Sequence, residues 1–195
     1  MPSVHDAIRS AGIVLEAGDG PPVLRGECSR MARLVRESLA STVGLAPAWD
    51  DVAVPAPAME LARALASMSD RPVGVVDALG SWGCASELTG GSNGDGTPAT
   101  SQLLDNLALI TLRPPDPYAS LGSLKGWVVR EAAVYGHLVV DLTGFEDVGE
   151  RRAAFNLLDA AVVVARCGRT TIRQVEDALR DVPEGRGLGV LLTGL

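Results

Sequence analysis

From residue 52 onward, short apolar runs rich in Val, Ile and Leu alternate with longer amphipathic segments. That alternation is expected when buried parallel strands are joined by crossover helices. It predicts strands over 52–54, 72–77, 107–112, 137–141, 161–165 and 188–193, with helices over 58–68, 118–134, 150–158 and 171–181. Upstream, residues 27–43 read as one more helix, with Met31, Leu34, Val35 and Leu39 on its apolar face. Gly18, Gly20, Pro21 and Pro22 mark a turn-rich start, so residues 1–26 read as a loosely attached lead-in and 27–195 as the domain. The run GGSNGDGT at 90–97 reads as a surface loop, and the chain shows no internal repeat. The fold class expected is a single α/β domain, a mostly parallel sheet with helices on both faces.

Composition narrows the function classes. A chain of 195 residues with 47% hydrophobic positions buries one full core and is not disordered. Its 24 acidic and 17 basic residues give a net charge of -7, which repels a phosphate backbone and argues against nucleic-acid binding. Cys28, Cys84 and Cys167 are odd in number and far apart, so neither a disulfide framework nor a metal site is suggested. A reducing, cytoplasmic setting fits. No apolar run reaches the roughly 18 residues of a membrane helix, and residues 1–15 lack a signal-peptide pattern. Contact with a membrane is therefore expected only through a partner. All basic residues but Lys125 are Arg, so lysine chemistry has one position open to it.

Four sequence features bear on chemistry. Gly90-Gly91-Ser92-Asn93-Gly94 matches the G-x-S-x-G elbow of hydrolases, but no strand directly precedes Ser92, and the only histidines are His5 and His137. An ordinary loop is the favoured reading. A phosphate-cradling loop is expected between the first core strand and its helix, where residues 54–60 carry Pro55 and Pro57, no glycine and no lysine. Asp77 and Asp141 each end an apolar strand, the place where carboxylates face the ligand crevice of a parallel sheet, although Asp is also common there as a turn residue. Glu27, Arg30 and Arg33 form E-x-x-R-x-x-R, one charged stripe on a helix that reads either as a solvated face or as an interface.

Together these segments resemble the bacterial tyrosine kinases of polysaccharide export (BY-kinases), relatives of the MinD and ParA ATPases, over residues 27–195. In that family an E-x-x-R-x-x-R helix packs on the neighbouring subunit of a ring, and Glu27, Arg30 and Arg33 match it. Residues 59–66 (MELARALA) are similar to the helix after the family's P-loop, and 71–78 (RPVGVVDA) to the strand ending in the Walker A′ aspartate. Residues 135–141 (YGHLVVD) resemble the Walker B strand, 158–166 (LDAAVVVAR) the strand after it, and 189–193 (GVLLT) the closing strand; Thr170 and Thr171 open a helix as the family's threonine does. The resemblance implies a P-loop NTPase-like fold of BY-kinase/MinD topology.

The departures shape the functional expectation. The G-K-[ST] loop is missing, the second aspartate of the "DaD" motif is Leu79, the proline pair after the Walker B aspartate is Thr143-Gly144, and the base-reading asparagine is Thr193. The tyrosine cluster has no counterpart, the only tyrosines being Tyr118 and Tyr135. Without loop lysine and glycines, most of the charge stabilisation of a transferred phosphoryl group is gone. The expectation is a non-catalytic pseudo-kinase, a regulator or assembly subunit of exopolysaccharide biosynthesis or export. Asp77 and Asp141 are then degenerate nucleotide and Mg²⁺ positions, with no catalytic residue, metal or ATP cofactor. The expected partners are like subunits or an active homologue, at an interface carrying Glu27, Arg30 and Arg33, and a membrane polysaccharide co-polymerase that holds the protein peripherally at the inner membrane. The alternative is a weak nucleotide-binding switch, or a residual kinase, of the same family.

Overall fold

A computed structural model describes residues 22–82 and 98–194. In chain order the elements are α1 (Pro22–Glu37), β1 (Thr42–Pro47), α2 (Pro55–Ala66), β2 (Val73–Asp77), β3 (Ala99–Leu104), β4 (Leu107–Thr111), α3 (Ser120–Glu131), β5 (His137–Asp141), α4 (Arg151–Asn156), β6 (Ala160–Arg166), α5 (Ile172–Leu179) and β7 (Gly187–Thr193). The seven strands form one sheet in the order β3-β4-β2-β5-β1-β6-β7. Only the β3–β4 pair is antiparallel.

Side-chain alternation along the strands sorts the core into two layers. Val43, Leu45, Val73, Val75, Val139, Val162 and Val164 meet the buried faces of α1 and α2, including Met31, Val35, Leu61 and Leu65. Their neighbours along the same strands, among them Val76, Ile110, Val140 and Ala161, meet Leu124 and Trp127 of α3 and Phe155 of α4. Val163 and Ala165 of β6 cluster with Ala178 of α5. Helices therefore cover both faces, and the central strands are buried over nearly their whole length.

The first strand differs from the sequence expectation. The helix expected over 27–43 starts at Pro22 and stops at Glu37, and Thr42–Pro47, buried at every position, is β1 at the centre of the sheet. Leu39 ends the helix in the left-handed region at φ 59°, with the Ala40 N–H closing on the Val35 carbonyl at 3.3 Å. Periodicity misses this stop because a left-handed leucine carries no glycine signal. Residues 52–54, expected as a strand, are loop. Strand β3 goes unforeseen because its half-exposed, alternating positions, Ala-Thr-Ser-Gln-Leu-Leu, lack an apolar run. The remaining strands and helices fall where the pattern puts them, within a few residues. Among the described residues no helix is long and apolar enough to cross a membrane.

Strand β5 lies between β1 and β2, and β1 lies between β5 and β6. The connection through α2 passes over β5 in one direction and the connection through α4 passes over β1 in the other. The carboxyl ends of β1 and β5 thus flank the switch point at which ligands bind in open α/β sheets.

Candidate functional site

At this switch point the chain leaves β1 at Pro47 and enters α2 at Pro55. The phosphate-loop position is therefore residues 48–54, not 54–60. Its sequence, Ala-Trp-Asp-Asp-Val-Ala-Val, contains no glycine and no cation. Asp50 and Asp51 are exposed, whereas Val52 and Val54 turn into the core. The loop is tied down by the Ala48 N–H on the Val164 carbonyl at 2.8 Å and the Val52 N–H on the Trp49 carbonyl at 3.0 Å.

The start of α2 is equally poor in donors. A helix N-terminus offers an anion its first, unbonded N–H groups. Here Pro55 and Pro57 have none, and Ala58 already donates to the Val54 carbonyl at 2.9 Å. Ala56 alone among the first three residues keeps an N–H.

Asp77 and Asp141 come together as the sequence suggests. They are register partners on the adjacent strands β2 and β5, and both are buried. What the sequence does not disclose is Trp82, 3% exposed, which bridges them. Its backbone N–H donates to Asp77 Oδ2 at 2.9 Å, and its indole Nε1–H donates to Asp141 Oδ2 at 2.7 Å. Asp77 Oδ1 accepts from the Ser81 N–H at 2.9 Å and from the Ser81 hydroxyl at 3.3 Å. Asp141 Oδ1 accepts from the Thr143 N–H at 2.8 Å and the Thr143 hydroxyl at 2.6 Å. Every carboxylate oxygen of the pair is occupied by a donor from the chain itself. The indole body belongs to the buried cluster containing Val52, Val54 and Ala58, so it fills the space between the strand ends and the loop. The one available sequence signal was a tryptophan five residues after a strand-end aspartate, since a buried indole N–H requires an acceptor.

Burial pushes the Asp141 carboxyl up to about 6, against the donors from Thr143 and Trp82 that favour its ionised form; the nearby Asp77 charge adds to the rise. Asp77 is raised as well, chiefly by burial, with the Trp82 and Ser81 donors opposing.

The other sequence candidates fall elsewhere. On α1, Arg30 and Arg33 are exposed and Glu27 is half-buried, and none of the three hydrogen-bonds to Asp77 or Asp141, whose partners are Ser81, Trp82 and Thr143. Arg30 Nη2 pairs with Glu27 Oε2 of the same helix at 2.9 Å, and Arg33 Nε donates to the Ser29 carbonyl at 3.3 Å. His137 Nδ1 sits 3.1 Å from the Ala40 carbonyl, and burial lowers its pKa. Burial, reinforced by Glu60 and Glu27, pushes the Cys28 thiol up to about 12, which makes it a poor nucleophile. Ser92, Cys84 and His5 lie outside the described residues. Among the described residues no group of His, Cys, Asp and Glu side chains is arranged to hold a metal ion.

No family model matches the sequence, and no curated protein matches it. Solved structures do match. The kinase domain of VpsO superposes with a TM-score of 0.69 at 16% identity, over 89% of this chain and 95% of that one. The kinase domain of the Escherichia coli tyrosine kinase ETK gives 0.64 at 19% identity, over 86% and 75% of the two chains. A ParA family ATPase from Chlorobium tepidum gives 0.58 at 17% identity, over 78% and 73%. The strand order, the paired strand-end aspartates and these likenesses lead to one conclusion: the chain has the α/β fold shared by bacterial tyrosine kinase domains and ParA-type ATPases.

Proposed function

We propose that this protein is a non-catalytic, kinase-like regulator or assembly subunit of exopolysaccharide biosynthesis or export, acting through protein–protein contacts. The observation that carries the loss of catalysis is the hydrogen bonding of the aspartate pair. Both oxygens of Asp77 and both of Asp141 are engaged by Ser81, Trp82 and Thr143. A Mg²⁺ ion requires near-octahedral oxygen ligands at about 2.0–2.1 Å. Reaching Asp141 would mean displacing both the indole N–H and the indole body. Residues 48–54 support the same reading. Phosphoryl transfer is catalysed by cations and N–H groups gathered around the transferred group. This loop offers two carboxylates instead, and the helix behind it a single N–H. The residues present do not fit a Mg²⁺–nucleotide.

The polysaccharide setting rests on the sequence resemblance. The assembly role rests on the stripe of Glu27, Arg30 and Arg33, whose two exposed arginine forks suit carboxylates of a like subunit or an active homologue. A cytoplasmic location, with attachment to the inner membrane through a co-polymerase partner, belongs to the same reading.

Calorimetric titration with ATP and with ADP, each with Mg²⁺, tests the first part. No heat of binding is expected up to millimolar nucleotide. Micromolar binding that disappears in Asp141→Ala would refute the reading and leave a nucleotide switch in its place. For the interface, replacing Glu27, Arg30 and Arg33 together by Ala is expected to lower the mass in solution without loss of helix content. An oligomeric parent whose mass is unchanged by the triple substitution rules the stripe out.

A further inference from the structure

The sheet ends on β7, whose outer edge is unpaired among the described residues. Proteins blunt such edges with charges or prolines, and between Gly187 and Thr193 this strand has neither. A bulge opposite Ala161 and Val162, with Gly189 at φ 124°, disturbs only its start; from 189 to 193 the register against 162–166 is regular. The Thr193 carbonyl accepts from the Cys167 N–H at 2.8 Å and so faces β6. Alternation then turns the N–H and C=O groups of Val190 and Leu192 to the open edge.

The helix over this edge is apolar on the same side. Gln174 and Asp177 of α5 line a cavity with Trp49, Asp50 and Arg151, toward the centre of the sheet. Helical spacing places Ile172, Val175 and Leu179 on the opposite flank, toward β7. Val175 packs with Val190 against the β6 core, whereas Ile172 is 80% and Leu192 40% exposed, and Leu179 is exposed as well. Open backbone groups and an apolar shelf thus meet at one edge, the arrangement into which a further strand fits beneath a helix.

The added strand must be uncharged, must bond at alternate residues and must put apolar side chains under α5. A second β7 meets all three conditions. Run antiparallel about a two-fold axis at Leu191, Val190 of each copy lies opposite Leu192 of the other, and each such pair exchanges both its N–H···O=C bonds. The exposed Leu192 of each copy then shares one face with the Ile172 and Leu179 shelves of both, and no like charges meet between the strands. The contact covers roughly 1,000 Å² over both copies, the low end for specific association, which corresponds to a dissociation constant of about 10–100 µM.

We propose that β7 is the docking edge for a second copy of this chain, the two sheets joining antiparallel into one. The contact uses none of Glu27, Arg30 and Arg33, and it is independent of the nucleotide reading above.

Sedimentation velocity of the full chain from about 2 to 200 µM tests this, with hydrogen exchange of the Val190 and Leu192 amides at both ends of the range. The mass is expected to climb from one chain to two, and both amides to exchange at least about ten-fold more slowly in the concentrated sample. Leu192→Pro removes one outward N–H while sparing the bonds to β6. Ile172→Glu puts a charge on the shelf at the first turn of α5, where an acidic residue suits the helix. Each is expected to weaken association about ten-fold or more. Ile172→Glu does so with an unchanged melting temperature, so the test stands even if Leu192→Pro fails to fold. The triple substitution of Glu27, Arg30 and Arg33 by Ala is expected to leave the slowed amide exchange in place. Four results overturn the proposal: a single-chain mass throughout, association that survives both β7-edge variants, slowed exchange that the triple substitution abolishes, or amides protected equally at both concentrations. The last would mean that part of the same chain, such as residues 1–21, covers the edge.

Discussion

Replacing Trp82 by Phe removes the indole N–H from Asp141 and keeps most of the buried ring. The lost bond, 2.7 Å long and made to a buried carboxylate, is worth about 1.5–3 kcal/mol when Asp141 is ionised. The smaller ring adds about 1 kcal/mol of lost packing in a site where Trp82 is 3% exposed. The penalty also depends on pH. Asp141 stands at about 6 in the folded protein against an ordinary 3.8, so the folded state binds the proton more tightly than the unfolded one. Its contribution therefore favours folding below pH 4 and weakens as pH rises through 6, by about 3 kcal/mol in all. Trp82 favours the ionised form, so Trp82→Phe raises this pKa further. Near pH 5 Asp141 is protonated in both proteins, and the substitution costs about 1–2 kcal/mol; at pH 8 the ionised carboxylate lacks a donor and the cost grows to about 3–4 kcal/mol. Urea unfolding of parent and variant at pH 5, 6.5 and 8, followed by circular dichroism, measures it. A cost that is the same at pH 5 and pH 8, or below about 0.5 kcal/mol throughout, would refute the assignment of Trp82 as the donor that holds Asp141. Asp141→Asn offers no escape, because its one oxygen can face either the indole N–H or the Thr143 N–H, and its amide nitrogen then meets the other donor.

Leu39 is 89% exposed and left-handed at φ 59°, so Leu39→Gly relieves backbone strain without losing burial; a gain of about 0.5–1 kcal/mol is expected in thermal unfolding. A Cβ on Gly44 would lie 2.7 Å from Leu158 Cδ1 and 3.0 Å from Leu142 Cδ1, so Gly44→Ala is expected to cost about 1–3 kcal/mol by urea unfolding. Asp159 ties the start of β1 to that of β6 through bonds from the Ser41 N–H at 3.0 Å, the Ser41 hydroxyl at 2.7 Å and the Thr42 N–H at 2.9 Å. Burial raises its carboxyl, but these donors outweigh burial and hold it below its ordinary 3.8. Its support is therefore present above that value and lost as pH falls through the lowered one, so Asp159→Asn is expected to flatten the acid limb of the unfolding curve.

Apolar patterning alone determined most of the sheet and its class. Runs such as Gly-Val-Val-Asp and Leu-Val-Val-Asp are buried on both faces and can only be central parallel strands, and each placed its aspartate at the carboxyl end where a crevice forms. The charged stripe on α1 was equally legible, because helical spacing puts Glu27, Arg30 and Arg33 on one side whatever the helix packs against. The limits of α1 and β1 were not legible, since the stop at Leu39 is a conformational choice made by the Ala40 turn and the sheet, not by residue type. That error moved the phosphate loop from 48–54 to 54–60 and hid Asp50 and Asp51 from the reading. Trp82 was hidden for a different reason. Nothing local to Asp77-Ala-Leu-Gly-Ser-Trp82 says that an indole will reach across to the next strand, because Asp141 is 59 residues away in sequence. Spacing shows which residues share an element; the register of β2 against β5 decided that one tryptophan would engage two buried carboxylates at once.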